Sequence, residues 1–437
     1  MKAAIHNLGC KTNAYEAEAM EQALKEAGYE IVDFNSDSVA DVCVINTCSV
    51  TNIADRKSRQ MIHKAKAANP DAVIVAAGCF VQENAEEIIK KEPVDICLGS
   101  NDKHLLVESI NSFLQNRENI CVVSDISKEA DFEKLDINLT PRHTRAFIKV
   151  QDGCNRFCSY CIIPMVRGRV RSRELEDIVS EVTGLAKNGV REVVLTGINL
   201  SSYGTDFKDG TDIGDVILSL NDIDGIERIR ISSFEPQLID KDFLNRIKRA
   251  DKLCPHFHLS MQSGSDGVLA RMNRGYDTDE YFEKCGLLRE FYDNPSITTD
   301  VITGFPGETQ KEFEETLSFV KKVRFFDLHV FQFSPRKGTK AAQMPDQVES
   351  RTKKLRSAVL ISAAQEMNKE YLQALKGSVA EVLMEERVSR GEEAFFVGHT
   401  KDYVKVLVKD TGEDITGKVV SVRLTGADGK EMTGETI

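Results

Sequence analysis

The chain has 437 residues, of which 41% are apolar and 29% charged, and its formal net charge is −12 at pH 7. This length predicts two to four domains, the composition is typical of a globular protein, and the negative charge argues against a surface that binds nucleic acid over its whole area. There are eleven cysteines, no recognisable secretion signal and no apolar run near the roughly 20 residues that span a bilayer. We therefore expect a cytoplasmic protein with reduced thiols and no membrane association.

The first 125 residues alternate between short apolar segments and longer amphipathic segments. The predicted strands are 3–7, 42–46, 73–77 and 94–98, and the predicted helices are 15–27, 54–68 and 84–90. This alternation is typical of a doubly wound parallel sheet with helices on both faces. We therefore expect residues 1–125 to form an α/β domain.

Three cysteines of this region, Cys10, Cys48 and Cys79, come shortly after predicted strands. The carboxyl ends of parallel strands share one edge, where ligands bind, so we expect these thiols to converge and hold a metal cluster. The alternative is that they pack as small apolar side chains, which is how we interpret Cys43 inside its strand. Cys97, in the strand 94–98, is either a fourth ligand or a packed residue.

The segment 153–161, GCNRFCSYC, spaces Cys154, Cys158 and Cys161 by three and then two residues. Cysteine thiolates select iron-sulfur clusters or zinc. A closed structural zinc site needs four ligands, and no fourth cysteine or histidine follows at short range. The spacing therefore favours a 4Fe-4S cluster with one open iron, with zinc as the alternative.

The central region, residues 144–372, contains six predicted strands separated by helices. The strands are 146–150, 192–195, 228–232, 257–260, 297–302 and 327–333, and the helices include 174–188, 238–249, 279–291, 311–323 and a trailing helix at 348–376. A closed eight-stranded barrel takes about 250 residues, so this shorter region predicts an open (βα)6 partial TIM barrel with the cysteine loop at its carboxyl edge. Residues 126–143 are predicted to be a linker.

After Gly377 the sequence changes to short apolar segments separated by glycine turns, at 379–384, 394–397, 403–408 and 417–424. This pattern predicts a small β-barrel over residues 373–437. The segment 374–437 carries nine Lys or Arg against twelve Asp or Glu. Any RNA contact here is therefore expected to be local, through residues such as Lys401, Tyr403 and Lys405.

A basic stretch surrounds the second group of cysteines. Residues 142–173 include eight Lys or Arg and one carboxylate, Asp152. We interpret this stretch as a patch that binds a polyanion, with Arg167, Arg169 and Arg171 as candidate RNA contacts. The alternative is ordinary salt bridging to acidic helices.

The segment 153–161 resembles the CxxxCxxC signature of radical S-adenosylmethionine (SAM) enzymes. LGCKTN at 8–13, NTCSV at 46–50 and GC at 78–79 resemble the N-terminal domain of the methylthiotransferases within that family. The resemblance covers nearly the whole chain and implies two 4Fe-4S clusters, one on Cys10, Cys48 and Cys79 and the other on Cys154, Cys158 and Cys161. It implies that one SAM methylates sulfur at the first cluster and that a second SAM, bound at the other, yields a 5′-deoxyadenosyl radical. The chemistry is then carried by the cofactors, and no side chain is assigned as a catalytic acid or base.

The resemblance also assigns residues that contact SAM. They lie in the cysteine loop and at the strand ends of the barrel, namely Tyr160, Gly197, Ser233, Glu235, Gln262, Asp300 and Gly304. The C-terminal segment resembles the TRAM domain, an OB-like module that binds RNA.

The opening LGCKTNAYE and the segment 331–348 most resemble the branch that acts on N6-threonylcarbamoyladenosine at position 37, in the anticodon loop of tRNA, to give its 2-methylthio derivative. The implied partners are tRNA, a reducing donor such as flavodoxin, and a sulfur donor. Because adenine C2–H is not acidic, a carbon radical is needed, and the base has to be splayed out of its loop. The alternatives are an isopentenylated adenosine or a ribosomal-protein aspartate as substrate, and, in another class, a metal-binding RNA regulator without turnover.

Overall fold

The computed structural model describes residues 1–36, 39–135, 137, 144–391 and 393–437. Its first part is a parallel sheet with helices on both faces. The strands are β1 (Lys2–Asn7), β2 (Glu30–Ile31), β3 (Val42–Thr47), β4 (Val73–Gly78), β5 (Ile96–Leu98) and β6 (Ile120–Val122). The helices are α1 (Lys11–Glu26), α2 (Asn52–Ala68), α3 (Cys79–Lys91) and α4 (Leu106–Asn116).

The strand order in this sheet is β2-β1-β3-β4-β5-β6, and every pairing is parallel. Strands β3 and β4 are buried at every position, as expected where helices cover both faces, and a separate apolar cluster packs on each face. The order reverses between β1 and β3, and such a reversal leaves a crevice at the carboxyl ends of the strands. The sheet therefore offers a binding site at the ends of β1 and β3.

The central part is a half-closed barrel. Its strands are β7 (Arg145–Lys149), β8 (Gln151–Asp152), β9 (Arg171–Ser172), β10 (Glu192–Thr196), β11 (Arg228–Ile231), β12 (Ser233–Phe234), β13 (His256–Leu259), β14 (Ser296–Thr303) and β15 (Asp327–Gln332). Its helices are α5 (Ile163–Val166), α6 (Leu175–Lys187), α7 (Ile213–Asn221), α8 (Lys241–Ile247), α9 (Asp266–Met272), α10 (Thr278–Phe291), α11 (Gln310–Val323), α12 (Lys340–Gln343) and α13 (Ser350–Ala374).

Two parallel pieces make up the barrel wall. One has the order β11-β10-β7 and the other β12-β13-β14-β15, and an isolated bridge between Ile229 and Leu253 joins them. Strand β12 continues β11 after one residue, so these two segments count as one strand. The wall therefore has six strands. Within the described residues β7 and β15 do not pair, so the barrel is open between its first and last strands. The short strands β8 and β9 pair in antiparallel fashion and close the base of the cysteine loop.

Helix α1 of the N-terminal sheet packs against the first strand of the barrel. Tyr15 and Ala19 belong to the apolar core of the barrel. Between them, Glu16 is fully buried, and its carboxylate pairs with Lys149 Nζ of β7 at 2.9 Å. The Arg167 guanidinium pairs with the same carboxylate, and Lys103 Nζ lies 3.4 Å from it. The two parts of the chain thus share one buried ionic network.

Residues 126–143, predicted as a linker, lie partly outside the described residues. The described part of this segment is packed against the protein: Ile126, Leu135 and Ile137 are buried. Glu133 Oε2 lies 3.5 Å from Lys103 Nζ. The segment therefore contributes to the junction between the sheet and the barrel.

The C-terminal part is a closed five-stranded barrel with the order β16-β17-β18-β20-β19. Its strands are β16 (Val379–Arg390), β17 (Glu393–Thr400), β18 (Lys405–Lys409), β19 (Val419–Asp428) and β20 (Glu431–Thr436). Arg228 and Arg230 of β11 donate to carbonyl oxygens of this barrel, for example Arg230 Nη1 to Lys401 O at 2.8 Å. The Tyr403 ring lies under the Arg230 guanidinium, 4.7 Å from its carbon. Tyr403, a predicted RNA contact, therefore contributes to the interface between the two barrels.

The predicted fold class is confirmed in all three parts: the doubly wound sheet, the open barrel and the small β-barrel. None of the helices in the described part of the chain has the length and apolar character that crossing a bilayer requires.

We predict that Glu16→Gln destabilises the protein, because it leaves Arg167, Lys149 and Lys103 with less counter-charge inside the molecule. Breaking a buried ion pair typically costs about 3–5 kcal/mol, so the midpoint of thermal unfolding of a chain of this length should fall by about 3–5 °C. The buried cations lower the pKa of Glu16 to about 2 against the opposing effect of burial. Its contribution is therefore complete above the unfolded pKa of about 4.3 and is lost as the pH falls towards 2.

The matched control is Glu21→Gln on the same helix, where the carboxylate pairs with exposed Lys25 at 2.7 Å. A surface pair contributes about 1 kcal/mol or less, so calorimetry should show a small shift. Equal shifts for the two variants would contradict a central role for Glu16.

Candidate active site

The N-terminal cysteine triad lies in the crevice where the strand order reverses. Cys10 is the N-cap of α1, Cys48 follows β3 directly, and Cys79 is the first residue of α3. Burial, reinforced by the neighbouring thiols of Cys79 and Cys10, raises the pKa of Cys48 to about 12. A Cβ atom at Gly9, whose φ is +113°, would lie 3.2 Å from Cys48 Sγ, so glycine permits the close approach. Three separate segments thus bring their sulfurs together.

Arg167 supplies a buried positive charge to this triad. Its Nε donates to Cys79 Sγ at 3.1 Å and its Nη2 donates to Asn13 Oδ1 at 2.7 Å. The same Asn13 oxygen accepts from the Cys10 thiol at 3.6 Å. Hydrogen bonds to sulfur and the helix N-termini at Cys10 and Cys79 both stabilise thiolate charge.

The second triad lies in the loop between β8 and β9. Burial, with the nearby Cys158 and Cys154 thiols, raises the pKa of Cys161 to about 12. Arg274 Nη1 donates to Cys158 Sγ at 3.2 Å. At Gly153, where φ is +70°, a Cβ atom would lie 1.7 Å from a backbone oxygen, so only glycine fits this turn.

Both triads fit a 4Fe-4S cluster with one open iron. Each offers three thiols, the donors that iron-sulfur clusters use, and each has an arginine N–H bonded to one sulfur. Binding the metal displaces the thiol protons that burial otherwise retains. Cys97 lies beside Cys121 of the neighbouring strand, which agrees with the alternative that it is a packed residue.

A cavity of about 340 Å³ opens beside the second triad. Its lining includes the three cysteines of that triad and five residues predicted to contact SAM, namely Tyr160, Ser233, Glu235, Gln262 and Asp300. Val50 and Thr51, which closely follow Cys48, line the cavity from the N-terminal side. Both cysteine-bearing parts of the chain therefore border one cavity.

Gly197 and Gly304, also predicted to contact SAM, are not part of this lining. A Cβ atom at Gly197 would lie 2.9 Å from Gln151 Oε1, and one at Gly304 would lie 2.3 Å from Lys353 Cγ. Both glycines therefore make room for neighbouring side chains at the strand ends.

Arg336, in the loop after β15, joins the barrel edge to the N-terminal sheet. Its Nη1 donates to Asp55 Oδ2 at 2.6 Å and its Nη2 donates to Glu83 Oε2 at 2.6 Å. Both carboxylates belong to helices that follow cysteine-bearing strand ends. This clamp fixes the helices that follow Cys48 and Cys79 to the edge of the barrel.

Glu235 supplies a carboxylate within the cavity, where two arginines pair with it. Arg274 Nη2 lies 2.9 Å from Glu235 Oε1, and Arg156 Nε lies 2.5 Å from Oε2. Neither arginine was among the predicted cofactor contacts. The position of Arg156 inside the cysteine loop was a usable signal, whereas Arg274 follows helix α9 and belongs to no motif that we identified.

Asp300 of β14, which lines the cavity, lies between histidines of the two neighbouring strands, β13 and β15. His329 Nδ1 lies 3.1 Å from Asp300 Oδ1, and His258 Nε2 lies 3.4 Å from Oδ2. Burial would raise the pKa of Asp300, but the two histidines hold it well below its usual range. The hydrogen bond to Asp300 raises the pKa of His329.

Lys11, adjacent to Cys10, is the first residue of α1. Burial, together with Arg230 and Arg145, lowers the pKa of Lys11 to about 8. Asp300 and Glu192 oppose this shift.

The basic stretch is largely internal. Arg167 and Arg171 are fully buried, and Arg171 Nη1 donates to Arg167 O at 3.0 Å, so the prediction that these two residues contact RNA is wrong. Their charges compensate buried carboxylates, which was the alternative interpretation. Arg169 is exposed, and its guanidinium lies 4.4 Å from the centre of the Phe157 ring. Arg142 lies outside the described residues.

Comparison with known proteins agrees with this geometry. Residues 148–320 match the Radical SAM superfamily, and residues 2–99 match the family described as Uncharacterized protein family UPF0004. A solved structure of the radical S-adenosylmethionine methyltransferase TsrM from Kitasatospora setae, with cobalamin and a 4Fe-4S cluster bound, shares the fold. The TM-score is 0.59 at 13% identity, over 78% of this chain and 77% of that one. The fold and the cysteine loop thus define a radical SAM enzyme.

Two curated relatives match nearly the full length. Threonylcarbamoyladenosine tRNA methylthiotransferase MtaB of Bacillus subtilis (strain 168) is 43% identical over 97% of this chain and 94% of its own length. The tRNA-2-methylthio-N(6)-dimethylallyladenosine synthase of Clostridium botulinum (strain Loch Maree / Type A3) is 36% identical over 99% of this chain and 96% of its own. The chain belongs to the radical SAM methylthiotransferase family, whose cofactors are SAM and 4Fe-4S clusters.

We predict that each cysteine triad holds half of the iron. Replacing Cys154, Cys158 and Cys161 by alanine, or Cys10, Cys48 and Cys79 by alanine, should leave about half of the iron and sulfide of the anaerobically reconstituted protein, because three thiolates bind each cluster. Chemical analysis and electron paramagnetic resonance spectra measure this. Cys97→Ala is the matched control and should retain all the iron. Loss of all or none in either triple variant would contradict two independent sites.

Proposed function

We propose that this protein transfers a methylthio group to C2 of N6-threonylcarbamoyladenosine at position 37 of tRNA. The observation that carries the proposal is that one cysteine triad lines a cavity whose other side is formed by Val50 and Thr51, the residues that closely follow Cys48 of the other triad. One triad alone accounts for generating a radical, whereas a second triad, whose neighbouring residues line the same cavity, would hold the cluster that supplies sulfur to the adenine carbon from which hydrogen is removed. The cofactors supply the methyl group, the sulfur site and the radical.

In this proposal the side chains of the protein bind the cofactor and the substrate and hold them in position. Tyr160, Glu235 and Gln262 line the cavity beside the second triad, where we place SAM. The Tyr160 ring packs edge-on against Phe305, with centroids 6.5 Å apart, so its orientation is fixed by packing. Val50 and Thr51 lie across the cavity and help to keep water from the reacting carbon.

The adenine has to leave its stack to enter this cavity. Exposed Arg169 and Phe157 lie beside the second triad and form a cation–π pair. We propose that they contact the anticodon loop, since a guanidinium pairs with phosphate and an aromatic ring stacks on unpaired bases. We also propose that the C-terminal barrel is a TRAM domain that binds tRNA. The proposed domains are then residues 1–125, 144–372 and 373–437.

Flavodoxin, as the electron donor, and a separate sulfur donor belong to the same proposal, as does a cytoplasmic location. The alternative substrate within the family is N6-isopentenyladenosine of tRNA. The higher identity to the threonylcarbamoyladenosine enzyme, 43% against 36%, favours the first substrate.

We predict that tRNA from a strain lacking this gene contains no 2-methylthio-N6-threonylcarbamoyladenosine and accumulates the precursor that lacks the methylthio group, because the proposed reaction supplies the sulfur at C2. Mass spectrometry of tRNA nucleosides measures this. The wild-type gene and a Cys254→Ala control should restore the product, whereas Cys154→Ala should not, since it removes a cluster ligand. An unchanged nucleoside pattern would falsify the tRNA proposal, and loss of the isopentenyl derivative instead would support the alternative.

A further inference from the structure

Three side chains on neighbouring strands of the barrel wall converge on one point. They are His258 of β13, Asp300 of β14 and His329 of β15. Asp300 is in register with His329, and His258 is in register with Thr298, two residues before Asp300. Alternate residues of a strand point to the same face of a sheet. The three side chains therefore lie on one face of the wall, and Asp300 among them lines the cavity.

The donor atoms of this group are spaced like the ligands of a metal ion. One nitrogen of each histidine and one oxygen of Asp300 all lie within 4.8 Å of one another. His329 Nδ1 is 3.1 Å from Asp300 Oδ1, and His258 Nε2 is 3.4 Å from Oδ2. Zinc binds nitrogen and oxygen ligands at about 2.0–2.2 Å, so two ligands of a tetrahedral ion lie roughly 3.3–3.6 Å apart. Small adjustments of the side chains are enough to surround an ion.

His258 directs a buried nitrogen into this group. Its side chain is more than nine-tenths buried, and its Nε2 has no hydrogen-bond partner among the described residues. A buried polar atom of this kind calls for a partner, and a metal ion is one that an imidazole nitrogen binds. The other ring nitrogen, Nδ1, lies 3.0 Å from Thr298 Oγ1. An outer hydrogen bond at this position orients the ring of a metal-binding histidine.

The group can be reached from solvent on the side of His329. The side chain of His329 is 56% exposed, and its ring stacks on that of His258 with centroids 5.5 Å apart. Strand β15, which carries His329, is the last strand of the wall. An entry path, a defined ligand set and an outer hydrogen bond are three of the features expected of a metal site.

Two charged histidines on one carboxylate are the other explanation of these contacts. That arrangement accounts for the hydrogen bond between His329 and Asp300, but it leaves His258 Nε2 without one. A metal ion uses all three donors. Two imidazoles and one carboxylate form the ligand set of several zinc sites, and imidazole also suits other first-row divalent metals.

We propose that His258, Asp300 and His329 bind a divalent transition-metal ion, and that zinc is the ion that this ligand set suits best. The site shares no residue with either cysteine triad, and it does not depend on the proposed reaction. The ion would tie β15, at the open edge of the barrel, to β13 and β14. Three protein ligands leave a coordination position for water or another ligand.

The test uses the full-length, anaerobically reconstituted protein, in which iron occupies the cysteines. The protein is equilibrated with zinc, separated from loosely bound ions by gel filtration, and analysed for zinc and iron. The wild type should hold about one zinc ion per chain in addition to the cluster iron. X-ray absorption at the zinc edge should show nitrogen and oxygen ligands at about 2.0–2.2 Å and no sulfur at about 2.3 Å.

His329→Phe should abolish zinc binding, because it removes one ligand and keeps a ring at an exposed position. His63→Phe is the matched control and should retain the zinc, since His63 is similarly exposed and its Nε2 lies 2.8 Å from one carboxylate, that of Glu92. Thr298→Val removes the outer hydrogen bond of His258 and should weaken zinc binding by about 10–100-fold. Competition with a chromogenic chelator measures the affinity, and the cluster iron should be unchanged in every variant.

Three results would overturn the site. They are a wild-type protein without zinc after equilibration, zinc retained by His329→Phe, and sulfur among the zinc ligands. The first result would identify the group as an ion pair only, and the third would assign the zinc to cysteines. If His329→Phe loses its cluster iron, Thr298→Val decides the test, and an unchanged zinc affinity in that variant would also overturn the site.

Discussion

The arrangement depends on one buried guanidinium. Arg167 follows the second cysteine triad in sequence, yet it donates to Cys79 of the first triad and pairs with Glu16 of α1 and Asp152 of β8. A buried cation is tolerated only when carboxylates and acceptors surround it. Because those partners come from both parts of the chain, the sheet and the barrel cannot separate without exposing unpaired charge to an apolar interior. The relative position of the two triads is thereby fixed.

This constraint explains how two cysteine-bearing parts of the chain come to border one cavity. The N-terminal triad sits where a doubly wound sheet places ligands, at the reversal between β1 and β3. The second triad sits at the carboxyl edge of the barrel, where βα loops carry function. Arg167 from below and Arg336 from the edge bring these two sites together. Each site is ordinary for its fold, and the pairing of the sites depends on the ionic contacts between them.

Local pattern was enough to predict the fold class and the positions of the principal strands. Buried parallel strands read as continuous apolar runs, as in β3 and β4, and cysteines after such strands could be assigned to one edge by topology alone. Short elements such as β2, β6 and α7 were not predicted, because two or three residues carry no period and α7 is apolar on most sides. The sequence also did not reveal which residues that are distant in the chain contact one another in the fold. The basic stretch was predicted to be exposed because Glu16, whose carboxylate pairs with it inside the molecule, is about 150 residues away in the chain.

The residues that define the chemistry differ from those that complete the cavity wall. The cysteine triads and the cavity edge are built from the motifs that the sequence displays, and they define the chemistry. Asp300 of β14, which lines the cavity, combines with His258 of β13 and His329 of β15, and nothing in any one segment reveals that combination. Docking of α1 on β7 is a second such combination, because it brings Glu16 to Lys149 inside the molecule. A change at Asp300 or its two histidines can therefore alter the cavity wall while both cysteine triads keep their ligands, because this group shares no side chain with either triad.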